Sequence, residues 1–459
     1  MKTDVLIIGG GPAGTATAMH LAKLGIRPVI LEREPFPRYH IGESMTGECA
    51  PLLRELGFAE QMGKDGHQVK LGVKVFGPNG KNSWWVPVMG RDKNGKLFDQ
   101  FTWQVRRSAF DKMMLSEAVA RGATLVNGRA TQPLRCDNGA VCGVQVRSPD
   151  GQLMEIESEV LLDCSGQATF LANAGGVTGP KYVGSYDKQI AIFSQVTGAI
   201  RGDNSTRDNA PGNTLIFYKS KYHWAWFIPI DDEIVSVGVV VPGAYFQAKR
   251  EGKRDFLVRE LQELNSGLAL RLPEINLVED VHVIPNYSYQ VKRFCGKGFI
   301  CIGDAHRFVD PIFSFGLFAS LKEASLVAPV IENYLNGAGR DQSNPFADYQ
   351  LYCEKGLDVF EDVIDTFWEK PLAFAFCVHH RYTENLIDVL AGRVHEGQPS
   401  EALIAMRKLL QRERPYDSEE IYSVPIGSRF HPERAPIWEA DSDFECTEEW
   451  MNAQVSGEN

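Results

Sequence analysis

The amino-acid sequence predicts an α/β protein with several lobes, because three stretches of the chain have different textures. The beginning alternates between an apolar run at 4–8, a helical stretch at 14–24 and a second apolar run at 28–31, which together indicate a βαβ unit. The middle consists of short strand-like runs separated by Gly and Asn, typical of an antiparallel sheet. Residues 345–415 are helical and rich in aromatic side chains.

These textures predict lobes that are discontinuous in sequence. A length of 459 residues suffices for two or three domains of about 150 residues each. The expected division is a first α/β lobe from 1–65, 104–180 and 290–335, an inserted antiparallel β-sheet lobe from 66–103 and 181–289, and a C-terminal helical region at 336–459 that ends in an acidic tail.

Composition excludes several classes of protein. A net charge of -11 leaves no basic surface for a phosphate backbone, so nucleic acid is not an expected partner. The nine cysteines form no CxxC pair and no His stands at zinc-finger spacing, which argues against a metal site or a disulfide framework. The uncharged run at 5–19 is broken by glycines and a proline, so it is no signal peptide, and no stretch predicts a membrane span. A cytoplasmic protein is expected.

The turn after the first strand predicts a dinucleotide site. Its GxGxxG spacing follows a strand and opens a helix. The first glycine allows a tight turn, the second lets the backbone approach a pyrophosphate, and the third lets helix and strand pack closely. An acidic residue at the end of the second strand accepts a ribose hydroxyl. The residues expected to bind are Gly9, Gly11, Pro12, Ala13, Gly14 and Glu32. The alternative is a chance glycine turn.

Four further segments indicate which nucleotide the turn binds. They are LEREPFPRYHIGES after the second strand, QVRRSAFD near 104, LLDCSG near 163 and GDAHRFVDP near 304. Together they resemble the FAD motifs of the para-hydroxybenzoate hydroxylase-like flavoproteins. The resemblance implies a Rossmann-like FAD-binding lobe. It also implies contacts to the flavin or its phosphates from Arg38, Ser44, Arg107, Gly303, Asp304, Pro311 and Gly316. For Asp304 the alternative is a helix cap.

Two more segments are similar to motifs of flavin-dependent halogenases. WAWFIP matches their W-x-W-x-I-P pattern, and FVDPIFSFG matches their F-x-x-P-x-x-S-x-G pattern. Trp224 and Trp226 stand at i and i+2, on one face of a strand, where two indoles keep an organic substrate away from the flavin. A flavin shielded in this way oxidises only something small, such as a halide. The alternative is that both indoles simply fill the core.

The halogenase resemblance also implies a halide site. It places the anion near the amides of Phe315 and Gly316, just after Ser314, where a loop enters a helix and its N–H groups form a cradle. Many relatives have a small residue before the glycine, whereas this chain has the bulky Phe315, a departure that bears on halide binding. A helix cap is again the alternative.

A lysine is the third element that the resemblance implies. Lys70, in VKLGVKVFG, aligns with the lysine that halogenates in this family, and Lys74 is a nearby alternative. A partly desolvated amine at the end of a tunnel holds hypohalous acid by a hydrogen bond or as a haloamine beside the arene. Taken alone, a lysine in an edge strand is more often a solvated surface residue.

The position before Ser314 narrows the substrate. Tryptophan halogenases carry a glutamate there, whereas this chain has Phe313, so it resembles phenol and pyrrole halogenases more closely. The segment FWEKPLAFAFCVHHRY is either part of a ring pocket or ordinary helix core. Its His379–His380 pair lacks metal spacing.

The sequence thus predicts an FADH2-dependent halogenase that acts with oxygen and a halide on a small phenol, pyrrole or indole, free or tethered to a carrier protein. No second GxGxxG is present for a nicotinamide cofactor, so a separate flavin reductase is expected. Bromide or iodide is preferred because both are easier to oxidise than chloride. The sequence does not fix the oligomeric state, and a homo-oligomer is one alternative. The alternatives are an aromatic hydroxylase that uses NAD(P)H and a flavin-loaded binding or sensor protein without turnover.

Overall fold

The computed structural model describes residues 1–410 apart from 175, 180, 184–188, 286–287 and 397–398, so the predicted acidic tail lies outside the described residues. The strands are β1 Lys2–Ile8, β2 Val29–Glu32, β3 Gln68–Lys70, β4 Gly72–Phe76, β5 Ser83–Pro87, β6 Met89–Arg91, β7 Leu97–Asp99, β8 Thr102–Gln104, β9 Thr124–Asn127, β10 Arg129–Arg135, β11 Val141–Arg147, β12 Leu153–Asp163, β13 Lys181–Val183, β14 Gln189–Thr197, β15 Thr214–Ser220, β16 His223–Pro229, β17 Val235–Pro242, β18 Asn276–Leu277, β19 His282–Pro285, β20 Tyr289–Val291, β21 Cys295–Gly296, β22 Phe299–Cys301 and β23 Arg307–Phe308.

The helices are α1 Pro12–Lys23, α2 Cys49–Glu55, α3 Ala59–Lys64, α4 Arg107–Ala120, α5 Phe170–Asn173, α6 Gly243–Lys249, α7 Lys253–Glu263, α8 Ser266–Ala269, α9 Gly316–Leu335, α10 Ala347–Glu369, α11 Pro371–Phe376, α12 Thr383–Ala391 and α13 Glu401–Leu409. None of the helices in the described part of the chain is both long and apolar enough to cross a bilayer.

The first sheet has the strand order β10-β11-β12-β1-β2-β9, with β22 beside β12 and β21 beside β22. Strand β1 pairs in parallel with β2 and β12, and β22 pairs in parallel with the end of β12. Val5 to Ile8 are buried, as expected of a strand covered on both faces. The carboxyl ends of β1, β12 and β22 therefore meet at one edge, where ligands bind in open α/β sheets.

The second sheet has the order β18-β14-β17-β16-β15-β4-β5, with β19 beside β14. Strands β14 to β17 pair antiparallel, as the sequence predicts. The prediction of an antiparallel sheet misses one pair, because β4 lies parallel to β15 with Val73 opposite Thr214. Strand β4 comes from the earlier insertion and has no hairpin link to β15, so nothing forces the antiparallel direction.

Alternation along this sheet separates two cores. Trp224 and Trp226 pack with the first sheet's core, whereas Ala225 and Phe227 pack with α7 on the opposite face. The indole-bearing face is thus turned toward the nucleotide lobe. Helices α9 to α13 close the remaining side of the molecule. The division into lobes along the sequence stays a prediction.

Candidate flavin and substrate site

A cavity of about 410 Å³ lies at the carboxyl edge of the first sheet, between this edge and the indole-bearing face of the second. Most of the residues predicted from the sequence line it: Gly9, Gly11, Pro12, Ala13, Glu32, Arg38, Ser44, Arg107, Trp224, Trp226, Asp304, Pro311, Ser314, Phe315 and Gly316. Gly14, Gly303 and Lys70 lie behind its wall.

The glycine-rich turn has the geometry that a pyrophosphate requires. Gly9 has φ +105°, and a Cβ there would lie 2.4 Å from the Cys164 carbonyl oxygen. A Cβ on Gly14 would lie 2.0 Å from the Gly9 oxygen, so this residue allows helix and strand to pack. At Gly11 the nearest atom to such a Cβ, in Arg38, is 3.6 Å away, and the space beyond is open. The first amides of α1 have no partner within the helix and line this space.

Glu32 lies in the cavity wall with both carboxylate oxygens anchored. Oε2 accepts a hydrogen bond from the Gly10 amide at 2.6 Å, and Oε1 accepts one from the Glu34 amide at 2.8 Å. Each oxygen keeps a lone pair. The carboxylate is therefore fixed in orientation and can still accept a ribose hydroxyl.

The guanidinium of Arg107 forms hydrogen bonds to other groups of the protein. Its Nε and Nη2 donate to Asp111 at 2.7 and 2.9 Å, and its Nη1 donates to the carbonyls of Ile41 and Gly42 at 2.7 and 3.0 Å. It thereby holds the loop before Ser44 against the cavity. Asp111 was not predicted from the sequence, although an Arg and an Asp four residues apart on a predicted helix are a recognisable pair.

Asp304 is half-buried in a 3-10 turn, Gly303–Ala305, and lines the cavity. Burial raises the pKa of Asp304 to about 7, against the opposing charge of Arg107. The Gly303 amide, in a backbone with φ +64°, donates to Glu323 at 2.6 Å. Glu323 is another residue that the sequence analysis missed.

Trp224 and Trp226 are both buried, with ring centroids 5.9 Å apart. Trp226 Nε1 donates to Ser236 Oγ at 3.2 Å. Trp224 Nε1 is buried and has no hydrogen-bond partner among the described residues. A buried donor without a partner costs free energy, so an orphaned N–H in the cavity wall fits a site that holds a further polar group. Gly238 faces Trp226 across the sheet, where a Cβ would clash with the indole at 2.3 Å.

In the loop before α9, the bulky side chain of Phe315 points away from the predicted halide site. Its ring is 1% exposed and stacks on Phe360 with centroids 3.7 Å apart, so it points into the helical core. Ser314 has φ +62°, and Gly316 begins the helix. The first amides of α9 therefore lie at the cavity without a side chain filling the space in front of them.

Lys70 is 1% exposed, so it is not the solvated edge-strand lysine of the alternative interpretation. Its Nζ donates to Ser44 Oγ and to the Met45 carbonyl, both at 2.8 Å. Burial lowers the pKa of Lys70 to about 7. Lys74 differs, because its Nζ is 2.7 Å from Asp208 in a partly exposed ion pair and it lines neither cavity.

A chain of hydrogen bonds joins Lys70 to the flavin cavity. Ser44 Oγ lies 2.9 Å from Thr214 Oγ1, and Gln104 Nε2 donates to that same oxygen at 2.7 Å. Ser44 and Thr214 line the flavin cavity, whereas Lys70 lines a second, smaller pocket. Neither Thr214 nor Gln104 was predicted as a site residue, because Thr214 carries no motif and Gln104 is only the first residue of the QVRRSAFD segment.

The second pocket, of about 30 Å³, holds Lys70 in an otherwise largely apolar wall. Trp84 lies 6.3 Å from Phe313 and 5.7 Å from Phe374, measured between ring centroids. The lining residues are Thr46, Gly47, Lys70, Val73, Trp84, Val86, Pro87, Val88, Phe313, Leu390 and Ala391. None of them is a carboxylate.

The residues of the C-terminal segment FWEKPLAFAFCVHHRY, predicted to be either a ring pocket or helix core, differ in position. Phe367 and Phe374 pack behind Trp84 and Phe313 and support the pocket wall. Trp368 Nε1 donates to Asp310 at 3.2 Å, which ties α10 to the loop before Ser314. Phe376, His379 and His380 are exposed, so they do not line a ring pocket. No group of residues suited to a metal ion occurs in the described ranges.

Similarity to known proteins identifies the family to which this chain belongs. A family model for an FAD binding domain matches residues 2–350. A 1H-pyrrole-2-carbonyl-[peptidyl-carrier protein] brominase from Pseudoalteromonas luteoviolacea is 34% identical over 81% of this chain and 87% of its own length. The chain belongs to the flavin-dependent halogenases. A 1H-pyrrole-2-carbonyl-[peptidyl-carrier protein] chlorinase from Pseudomonas fluorescens is 27% identical over 95% of this chain and 99% of its own length.

The solved structure of the flavin-dependent brominase Bmp2 superposes on this halogenase with a TM-score of 0.82, at 33% identity, over 90% of this chain and 98% of that one. The predicted α/β fold, with an antiparallel-sheet lobe and C-terminal helices, is thereby confirmed, as is the predicted use of FAD and a halide. The alternatives of a hydroxylase and of a flavin-loaded sensor are not supported. The open glycine turn, the anchored Glu32 and the orphaned Trp224 N–H all fit FAD.

Proposed function

We propose that this halogenase acts on a pyrrole-type ring carried as a thioester on a carrier protein, with Lys70 as the halogenating residue. Two of its relatives act on pyrrole-2-carbonyl groups attached to peptidyl-carrier proteins. The pocket around Lys70 is small and largely apolar, which suits a small aromatic ring that displaces part of the wall. Its lining carries no carboxylate to accept the ring proton, and a ring activated by its own nitrogen has the least need of one.

The observation that carries this proposal is the position of Lys70 Nζ. It lies between two cavities, hydrogen-bonded through Ser44 to the flavin side and open to the apolar pocket on the other. Bound reduced FAD, with oxygen, supplies the oxidation of halide to hypohalous acid. Beyond the wall of the flavin cavity, the Lys70 amine would then be the donor that binds hypohalous acid.

The residues of the cavity would hold the reactants in the following roles. The turn from Gly9 to Gly14 would hold the pyrophosphate through the amides of Gly11, Ala13 and Gly14, since Pro12 has no N–H and the Gly9 amide donates to the Leu31 carbonyl. Glu32 would accept the ribose hydroxyl. Arg38, Arg107, Gly303, Asp304 and Pro311 shape the flavin side. Trp224 and Trp226 exclude the ring from the flavin. The amides of Phe315 and Gly316, with Ser314, hold the halide.

We infer that Lys70 acts as an ammonium donor. Two of its N–H groups already bind Ser44 and Met45, and only an ammonium keeps a third. That N–H binds the oxygen of hypohalous acid while a ring carbon attacks the halogen. The halogen–oxygen bond breaks, and the hydroxide leaves as water after taking a proton from the Lys70 ammonium. The ring then gives its proton to the neutral Lys70 amine, which restores both aromaticity and the ammonium. The products are the haloarene and water.

We also propose that a separate reductase supplies the reduced FAD. In support, the 459-residue sequence contains no second GxGxxG. Purified protein with FAD and NADH is expected to leave the NADH unoxidised until a reductase is added. Rapid NADH oxidation by the protein alone would contradict this.

The experiment for substrate and reaction combines FAD, reductase, NADH and oxygen with chloride, bromide or iodide, and analyses the products by mass spectrometry. Acceptors are pyrrole-2-carbonyl carrier protein, the same acyl group on a short thiol, and free phenol, indole and pyrrole. Halogenation of the thioesters ahead of the free rings is expected. Faster halogenation of free phenol or indole would reject the pyrrolyl thioester as substrate.

A further inference from the structure

A third cavity, of about 720 Å³, adjoins the Lys70 pocket. Its walls come from α2, α9, α10 and α12, with the segment that follows α12. None of the residues predicted from the sequence to bind flavin, halide or substrate lines it. The flavin chemistry therefore leaves this cavity unexplained.

Only a thin partition separates this cavity from the Lys70 pocket. Gly47 and Ala391 line the pocket, whereas their chain neighbours Glu48 and Gly392 line the cavity. The Glu48 amide donates to the Ala391 carbonyl at 2.8 Å, which closes the seam. A Cβ on Gly47 would already lie 3.3 Å from the Ala391 Cβ. The partition is thus built from small residues and is one residue thick.

Two lysines of this cavity make no ion pair with the described residues, although four carboxylates, Glu48, Glu55, Asp388 and Glu396, line the same cavity. Lys322 of α9 and Lys355 of α10 line it and are half-buried, and over the described ranges neither has a carboxylate within 4 Å. The arginines of the same cavity differ, because Arg91 is paired with Asp388 and Arg393 with Glu48. Half-buried, unpaired cations at a cavity wall are the signature of an anion site.

The neighbouring histidine adds no charge of its own. Burial, with the nearby charge of Lys322, lowers the pKa of His395 to about 3, so its ring is neutral at pH 7. Its ring stacks on Tyr352 with centroids 5.3 Å apart and fits against Gly356, where a Cβ would clash at 2.3 Å. Glu55 of the lining pairs with Lys23 and Glu396 is exposed, so the two lysines are the cations of the described lining that make no ion pair.

We propose that this cavity binds the phosphodiester of a carrier protein's phosphopantetheinyl arm, with Lys322 and Lys355 as counter-charges. The acyl end of the arm reaches Lys70 once the hydrogen bond between Glu48 and Ala391, which closes the seam, is broken by the entering arm. This inference rests on the proposed carrier-bound substrate. Such an arm has one fixed anion, at its protein end, followed by a thin uncharged chain. That pattern matches two cations in an outer cavity, a partition of small residues and an apolar pocket beyond it.

The test uses full-length, FAD-loaded protein and three ligands. Binding of 4′-phosphopantetheine, pantetheine and inorganic phosphate is measured by calorimetry in the wild type, in Lys322→Gln/Lys355→Gln and in a charge-matched control, Lys249→Gln/Lys253→Gln on the distant α6 and α7. The wild type and the control should bind phosphopantetheine about tenfold more tightly than pantetheine, and the cavity variant should lose this preference. Equal affinity for the two ligands in the wild type overturns the proposal.

A second readout separates this inference from the proposed function. Halogenation is compared between acyl-phosphopantetheine and acyl-pantetheine, which share the ring and the thioester. The cavity variant should have a raised KM for the first and unchanged kinetics with the second. Equal slowing with both overturns the phosphate role. If neither thioester is halogenated while free rings are, the carrier-bound substrate fails, and the binding data still judge the phosphate site. Inorganic phosphate binding as tightly as phosphopantetheine reduces the site to a free-anion site and likewise overturns the arm.

Discussion

The flavin cavity and the Lys70 pocket are neighbours joined by one hydrogen bond, yet they are built in opposite ways. The flavin cavity is made by backbone turns that follow strands β1, β12 and β22, where glycines permit close approach. The Lys70 pocket is made by single side chains from β4, β5, the turn before Ser314 and the end of α12. Sites built from backbone leave compact local patterns in a sequence, whereas sites built from converging side chains leave their residues scattered over distant segments.

Removal of the amine should have the largest effect. Lys70→Met should lower halogenation by about 10³-fold, because the pocket then has no donor for hypohalous acid, while flavin oxidation and hypohalous acid release continue. Lys74→Met is the matched control, since that lysine is ion-paired with Asp208 and lines neither cavity. Product formation and hypohalous acid trapping are measured together. Lost product in the Lys74 variant with product kept in the Lys70 variant would reverse the assignment.

In the flavin cavity, substitutions of two glycines of the same turn should have different effects, one on the stability of the protein and the other on FAD binding. Gly14→Ala should destabilise even the FAD-free protein, because its Cβ would lie 2.0 Å from the Gly9 oxygen. Gly11→Ala should leave the thermal stability of the FAD-free protein unchanged and weaken FAD binding by roughly 10- to 100-fold, because its Cβ enters only the open space. Thermal melts and FAD titration separate the two. Equal melting temperatures would show that Gly14 is not a packing residue.

The pH dependence tests which form of the amine acts. The folded pKa of Lys70 is lowered to about 7, so the ammonium predominates below pH 7 and is lost above it. The rate with added hypohalous acid should therefore fall about tenfold per pH unit above pH 7, after correction for the acid's own ionisation. A rate that rises through pH 7 would instead support a haloamine formed on the neutral amine.

The hydrogen-bond chain between the two cavities should have the smallest effect. Thr214→Val removes the hydroxyl that Ser44 and Gln104 share and should lower the halogenation rate by about threefold to tenfold. The inflection of the pH profile should shift as well, because Ser44 is freed to rotate away from Lys70. Halide oxidation at the flavin should be unchanged. A slower rate without a shifted pH profile would show that Thr214 contributes only packing.

The contrast between the two regions also explains what the sequence predicts well. The βαβ unit and its glycine turn depend on contacts within a few residues, so their spacing is a reliable local signal. Lys70 and the two indoles were found only through resemblance to a family. The parallel pairing of β4 with β15 and the inward turn of Phe315 depend on residues far along the chain. Neither Thr214 nor Gly238 has a signature, because each matters only through the strand opposite.

The parallel pairing of β4 with β15 has a consequence for how the enzyme is made. The amide of Leu71, next to Lys70, donates to Asn213 Oδ1 at 3.0 Å across a separation of 142 residues. At about 10 residues per second, a ribosome needs roughly 15 s to synthesise that stretch. During this interval the nucleotide strand, turn and helix are complete, while the lysine still faces water as an ordinary ammonium. The flavin cavity is completed later still, because Asp304 and Pro311 follow Asn213 in the chain, so the contacts around Lys70 can form before the whole flavin site exists.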